Sequence, residues 1–230
     1  MQRVSKQIFP ILLIISSFFS CQNDQQPEPA PPATLPPLDT IRVVPVSSVN
    51  AAVYIVNDGV VNWLGKRAIG NRHTGTIQIK EGQLSASQGQ LLSGNVVLDM
   101  RSLSVNNVKD PGAKSDLESH LKDSDFFEVK KYPTGTFVID EVLPSKTPDF
   151  NWIVSGELTL KGKTNRVNIP VKMTITDKEI NAESANFVIN RTQWGINFQS
   201  GLLGTTKDKL IEDIVPISLT IRAERKEEKK

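Results

Sequence analysis

Apolar side chains occupy every second position from Val167 through Ile169, Val171 and Met173 to Ile175, with Asn168, Pro170, Lys172 and Thr174 between them. A period of two is what an extended strand shows when alternate side chains face a core and water. Val215, Ile217, Leu219 and Ile221 repeat the pattern, alternating with Pro216, Ser218, Thr220 and Arg222. Leu158 and Leu160, and Ile77 and Ile79, do the same over shorter runs. Turn signals at Glu81-Gly82, Ser93-Gly94, Lys161-Gly162-Lys163 and Thr176-Asp177-Lys178 separate these runs and predict an antiparallel meander. Strands that are apolar on one face must close into a barrel or stack as a sandwich to bury that face and remove their edges. The fold class expected is therefore all-β.

One stretch departs from this period. Ser115-x-x-Glu118 reads as a capping box, and Leu117 and Leu121 fall four apart on one helical face, so a short helix is predicted over 115–122. Asp123-Ser124-Asp125 then starts another turn that brings Phe126 and Phe127 to the sheet. A helix inserted in a meander is expected to lid or plug a barrel.

The two ends differ in character from the middle. Arg3 and Lys6 precede an apolar run from Ile8 to Phe19, the layout of a secretory signal over residues 1–20. The run is too short for a good spanning helix, which needs about 20 apolar residues. It ends at Cys21, the single cysteine of the chain, which has no intrachain partner for a disulfide. Phe18-Phe19-Ser20-Cys21 resembles the lipobox of bacterial lipoproteins, in which the cysteine is lipidated, and Gln22 after it resembles those sent to the outer membrane. From 21 to 45 the chain carries a proline-rich, polar tether, semi-rigid by the φ restriction of proline. Residues 46–222 form the expected barrel domain, and 223–230 a charged, solvated tail. The formal charge of +2 falls to zero if the signal is cut, because Arg3 and Lys6 leave with no acidic residue. That removes the general electrostatic argument for a nucleic-acid partner.

Four blocks in order carry a resemblance to a known family. HLKDSDFFEVKKYPTGTF, from His120 to Phe137, is similar to the His-Leu, Asp-Phe-Phe and Tyr-Pro signature of the YceI-like lipid-binding (polyisoprenoid-binding) family. Gly156 to Thr164 resembles its Leu-Thr hairpin, and Phe187 to Gly195 its Arg-x-x-Trp-Gly strand end. Asn62, Trp63, Gly65 and Lys66 with His73 and Gly75 resemble its opening. The resemblance implies a lipocalin-like antiparallel barrel of around eight strands, export, and an elongated apolar cavity that in some relatives holds an isoprenoid, often quinone-like. It implies no catalytic residue and no cofactor beyond such a lipid.

The residues themselves argue in the same direction. Two histidines, His73 and His120, and no pairing of His, Cys or Glu at metal-ligand spacing offer little for catalysis or zinc. Asp116, Glu118, Asp123 and Asp125 are explained by helix capping, and the start of a calcium loop at Asp123 lacks the later Gly and Glu. His73, His120 and Arg191 are placed at the cavity mouth, where Arg191 either pairs with a carboxylate such as Asp125 or approaches a ligand head group. Trp63, Phe126, Phe127, Phe137, Phe187 and Trp194 are the expected ligand contacts, with inward facing inferred from alternation. Aromatics alone leave open whether an eight-stranded barrel holds a ligand or fills itself. The reading is thus an envelope carrier or sequestering protein, not an enzyme. Its rivals are a filled-barrel interaction lipoprotein and an enzyme built on His73 or His120 with nearby carboxylates.

Overall fold

The computed structural model describes residues 50–227. The expected signal, Cys21 and the tether lie outside these residues, as do 228–230. Nine strands form one antiparallel sheet: β1 (Ala52–Lys66), β2 (Arg72–Ser87), β3 (Gln90–Val105), β4 (Thr134–Pro144), β5 (Trp152–Leu160), β6 (Lys163–Ile175), β7 (Glu179–Ser184), β8 (Phe187–Asn190) and β9 (Ile214–Arg225). Each pairs with the next up to β7, β7 pairs with β9, and β9 returns to pair with β1. The β7 and β8 strands lie along the same side of β9, at Thr220–Glu224 and Ile214–Ile217 respectively, and act as one interrupted strand. The result is the closed, eight-stranded antiparallel barrel that the resemblance implies, and it decides between the barrel and the sandwich that the period-two pattern allows.

Closure requires the sheet to coil, and bulges supply the bend. Register shifts between Val56 and Asp58 in β1, between Ile79 and Glu81 in β2, and between Ile139 and Glu141 in β4 each insert a residue. Every bulge reverses which parity faces inward. In β1 the inward set passes from Tyr54 and Val56 to Val61 and Trp63; in β2 it passes from Ile77 and Ile79 to Leu84 and Ala86. The β6 strand has no register shift and keeps Val167, Ile169, Val171 and Met173 buried throughout, as its alternation predicts.

Two of the four turn signals fall inside strands. Glu81-Gly82 lies mid-way along β2 beside its bulge, and Ser93-Gly94 lies within β3. At both glycines the facing strand leaves no room for a side chain: a Cβ at Gly82 would sit 2.7 Å from Val56 Cγ2, and one at Gly94 2.6 Å from Leu84 Cδ2. The β2–β3 hairpin turns instead at Gln88-Gly89, both with positive φ (52° and 75°), the geometry of a two-residue I′ turn. Lys161-Gly162, with φ of 48° and 72°, turns β5 into β6 as expected, and Thr176 to Lys178 turns β6 into β7.

The helix, α1 (Pro111–Lys122), begins four residues before the predicted start. Its cap is Asp110, whose side chain accepts the Ala113 N–H at 2.8 Å, and Pro111 follows at the first helical position. Ser115 and Glu118 therefore form no capping box. Glu118 reaches away from the helix and accepts the Val105 N–H at 2.8 Å, tying α1 to the end of β3. Asp116 and Glu118 stand mid-helix, and Asp123 caps the C-terminal end. The charged tail also starts later than expected, since β9 runs to Arg225 with Ala223 fully buried and Lys226 N–H on the Val53 carbonyl at 2.8 Å.

Among the described residues every ladder partner and every core residue falls between Ala52 and Arg225, and these close the barrel among themselves. Residues 46–230 expressed alone are expected to unfold in one cooperative urea transition. Truncating the fully buried Ile180 to alanine is expected to lower the unfolding free energy by about 2–5 kcal/mol. A multiphasic transition, or an Ile180→Ala variant as stable as the parent, contradicts the single-core reading.

Candidate functional site: an apolar cavity with a polar mouth

Side chains do not fill the barrel. A cavity of about 300 Å³ runs down its interior, a volume at the lower end for small-molecule sites. Its walls are apolar almost throughout, with Leu84, Leu91, Val171, Met173 and Ile221 deep inside. The deep end is closed by Tyr54, Ala86, Ile180 and Ala223, all buried. There the Tyr54 hydroxyl donates to the Thr176 carbonyl at 2.8 Å, fastening β1 to the β6–β7 turn.

Polar residues line only the opposite end. Lys66, Arg67, Asn71 and His73 come from the end of β1, the start of β2 and the loop between them; His120 comes from the last turn of α1, and Arg191 and Glu212 from the segment joining β8 to β9. This end is the mouth. The helix lies over it and contributes Leu117, His120 and Leu121 to the lining, the lid that the sequence anticipates.

All six aromatics expected to contact a ligand line the cavity. Trp63 of β1 lies across Gly75, its partner on β2, where a Cβ would collide with the indole and with the Ser104 carbonyl. Phe137 of β4 lies beside Gly156 of β5 in the same way. Phe126 and Phe127 follow the helix, and Phe126 packs at the mouth edge-to-face with His120 and tilted against Phe198, at ring separations of 5.1 Å from His120 and 5.3 Å from Phe198. Phe187 enters from β8. Trp194 is 1% exposed and donates its indole N–H to the Leu158 carbonyl at 2.9 Å, so it is a fixed part of the wall.

Arg191 is the principal correction. It lines the mouth but is 5% exposed, and its partner is Asp213, at 2.9 Å, not Asp125. Its guanidinium also donates to the carbonyls of Ile196 at 2.8 Å, Ile211 at 3.0 Å and Glu212 at 3.2 Å. Burial pushes its pKa below the ordinary arginine range and Asp213 pulls it back; the group stays charged. Asp213 also accepts the hydroxyl of the fully buried Ser200 at 2.8 Å. With four bonds made, Arg191 holds the β8–β9 segment in place rather than presenting a free cation to a ligand. Asp125 instead meets His120, with Nε2 and Oδ2 3.2 Å apart, both side chains close to half exposed.

His73 also reaches the mouth lining, and its Nδ1 and the Trp63 indole nitrogen are buried without a hydrogen-bond partner among the described residues. No three His, Cys, Asp or Glu side chains converge as metal ligands among the described residues. Sequence reasoning missed Phe198 and Glu212 in the mouth lining and Asp213 as the partner of Arg191. All three lie in the irregular segment between β8 and β9, which leaves no periodic trace.

The chain belongs to the YceI-like family: the YceI-like domain matches residues 57–223, nearly the whole barrel. A UPF0312 protein of Vibrio cholerae serotype O1 (strain M66-2) is 28% identical over 184 residues, covering 74% of this chain and 85% of that protein. Among solved structures, BcnA of Burkholderia cenocepacia superposes with a TM-score of 0.55 at 21% identity, covering 71% of this chain and 95% of that one. A domain from Saccharophagus degradans, described as polyisoprenoid-binding and implicated in plant cell wall breakdown, superposes with a TM-score of 0.54 at 12% identity, covering 77% and 100%. At these identities the structural neighbours establish the fold.

Removing the guanidinium leaves Asp213 a partly buried charge without its cation and three carbonyls short of a donor. Arg191→Ala is therefore expected to destabilise the barrel by about 3–5 kcal/mol and to raise hydrogen exchange across residues 195–213. Arg191→Lys should recover only part, since one ammonium cannot span four acceptors. Unchanged exchange in Arg191→Ala would show that the network does not hold the segment.

Proposed function

We propose that this member of the YceI-like family binds an elongated apolar molecule of isoprenoid or quinone-like type in its barrel, as a carrier or sequestering protein of the cell envelope. The observation that carries the reading is the cavity itself: a closed barrel with an apolar bore, polar at one end only. Each methylene that leaves water for such a bore contributes about 0.8 kcal/mol, so a prenyl chain needs no polar contact to be held. Arg191 is committed to structure by its four hydrogen bonds. The Saccharophagus degradans domain, of the same fold and described as polyisoprenoid-binding, supports the ligand class.

In this reading Trp63, Phe126, Phe127, Phe137, Phe187 and Trp194 form the aromatic part of the ligand's surroundings. The lipobox-like sequence at Cys21 and the proline-rich stretch after it support attachment to a membrane through a lipidated cysteine, with Gln22 favouring the outer membrane. Binding is the whole of the mechanism, and no catalytic residue or cofactor is assigned.

Native mass spectrometry of the protein purified from its own host's envelope, followed by solvent extraction, tests the reading. A stoichiometric adduct released as an isoprenoid is the expected result, and a mass equal to the bare chain overturns it. Ala182 points into the deep part of the bore, and Ala182→Phe is expected to weaken binding of long prenyl chains about tenfold, the loss of roughly two buried methylenes. Short chains should bind nearly unchanged.

A further inference from the structure

Among the described residues, the three largest exposures of large apolar side chains occur together. Leu202 is 73% exposed, Leu203 66% and Ile69 61%. Ile69 stands at the tip of the loop between β1 and β2, and the two leucines form a 3₁₀ turn in the segment between β8 and β9. Those two loops are joined: Ala68 donates to the Leu210 carbonyl at 2.9 Å, Arg67 bridges to Ile211, and Leu210 packs beside Gly201. Arg67, Ile211 and Glu212 from the same loops line the cavity mouth. The apolar tips therefore project from the rim of the entrance.

The leucine turn is held outward by the fold. Ser200 accepts the Leu202 N–H at 3.2 Å and donates to Asp213, which Arg191 anchors. A buried ionic network thus fixes two leucines in water, where they gain nothing by remaining. Around them stand four exposed cations, Arg67, Arg72, Lys207 and Lys209, none of which forms an ion pair among the described residues. The acids nearby are Asp208, which Thr206 hydrogen-bonds and holds below the ordinary carboxylate range, the half-buried Glu212, and Asp213, whose charge Arg191 balances. Apolar tips ringed by an excess of lysine and arginine match an interface of acyl chains beneath anionic head groups.

We infer that the rim made by Ile69, Leu202 and Leu203 with Arg67, Arg72, Lys207 and Lys209 docks on an anionic phospholipid bilayer and seats the cavity mouth on the membrane. The purpose of this docking, passage of an apolar ligand between bilayer and bore, rests on the function proposed above. The adhesion itself does not.

Flotation of the 46–230 barrel with phosphatidylcholine vesicles, with and without phosphatidylglycerol, tests the inference. The barrel is expected to float with the anionic vesicles and to be released as salt screens the attraction. Replacing Ile69, Leu202 and Leu203 together by serine should lower partitioning at least about tenfold; all three are exposed, and circular dichroism checks that the variant folds. K207E/K209E should abolish the preference for anionic vesicles. Native mass spectrometry of the same variants separates the two claims, because ligand carried in the bore should be unaffected by changes at the rim. A parent barrel that stays at the bottom of the gradient with both vesicle types, or a triple-serine variant that floats like the parent, overturns the inference; so does a rim that instead pairs two copies of the barrel or captures a protein partner without binding vesicles.

Discussion

The pairing of β9 with β1 is the interaction on which the rest of the structure depends. A meander of long strands, apolar on one side, leaves two raw edges and a greasy face unless it returns on itself. Nine residue pairs from Tyr54–Arg225 to Trp63–Ile217 join the two ends of the sheet, and with them every strand except the short β8 gains a neighbour on both sides over at least part of its length. Bulges in β1, β2 and β4 supply the coiling that lets this happen within eight strands.

Closure at this strand number leaves an interior that side chains can fill or leave open. Here the inward positions that could have taken bulky residues at Gly75, Gly82, Gly94 and Gly156 carry none, because the opposing backbone and the neighbouring Trp63, Val56, Leu84 and Phe137 already occupy that space. The bore remains continuous, and the polar atoms its lining requires are collected at one end. There the Arg191–Asp213–Ser200 network fixes a long irregular segment by hydrogen bonds instead of by packing. The apolar walls bind, the helix covers, and the ionic network holds the rim in shape.

What could be read from the sequence follows the bulges. The β6 and β9 runs are legible because no register shift interrupts their inward residues, and the Lys161-Gly162 turn because both residues adopt positive φ. The β1 to β4 strands are poorly legible, since each parity change hides the alternation, and Gly82 and Gly94 resemble turn residues while serving as points of close approach. Ser115-x-x-Glu118 imitates a capping box, but Asp110-Pro111 starts the helix earlier and frees Glu118 to hold β3. The aromatic lining was legible from family resemblance and alternation. The Arg191 partner was not: Asp213 lies across a loop of more than twenty residues, and nothing local in the chain distinguishes it from Asp125.

The central claim is that the bore exists to hold an elongated apolar molecule. A crystal structure of the protein isolated from its own host's envelope tests it most directly. The account predicts continuous, elongated density from the mouth beside His120 and Phe198 down to Met173 and Val171, in contact with the aromatic lining. Discrete ordered waters along the bore, or side chains rearranged to close it, would contradict the claim.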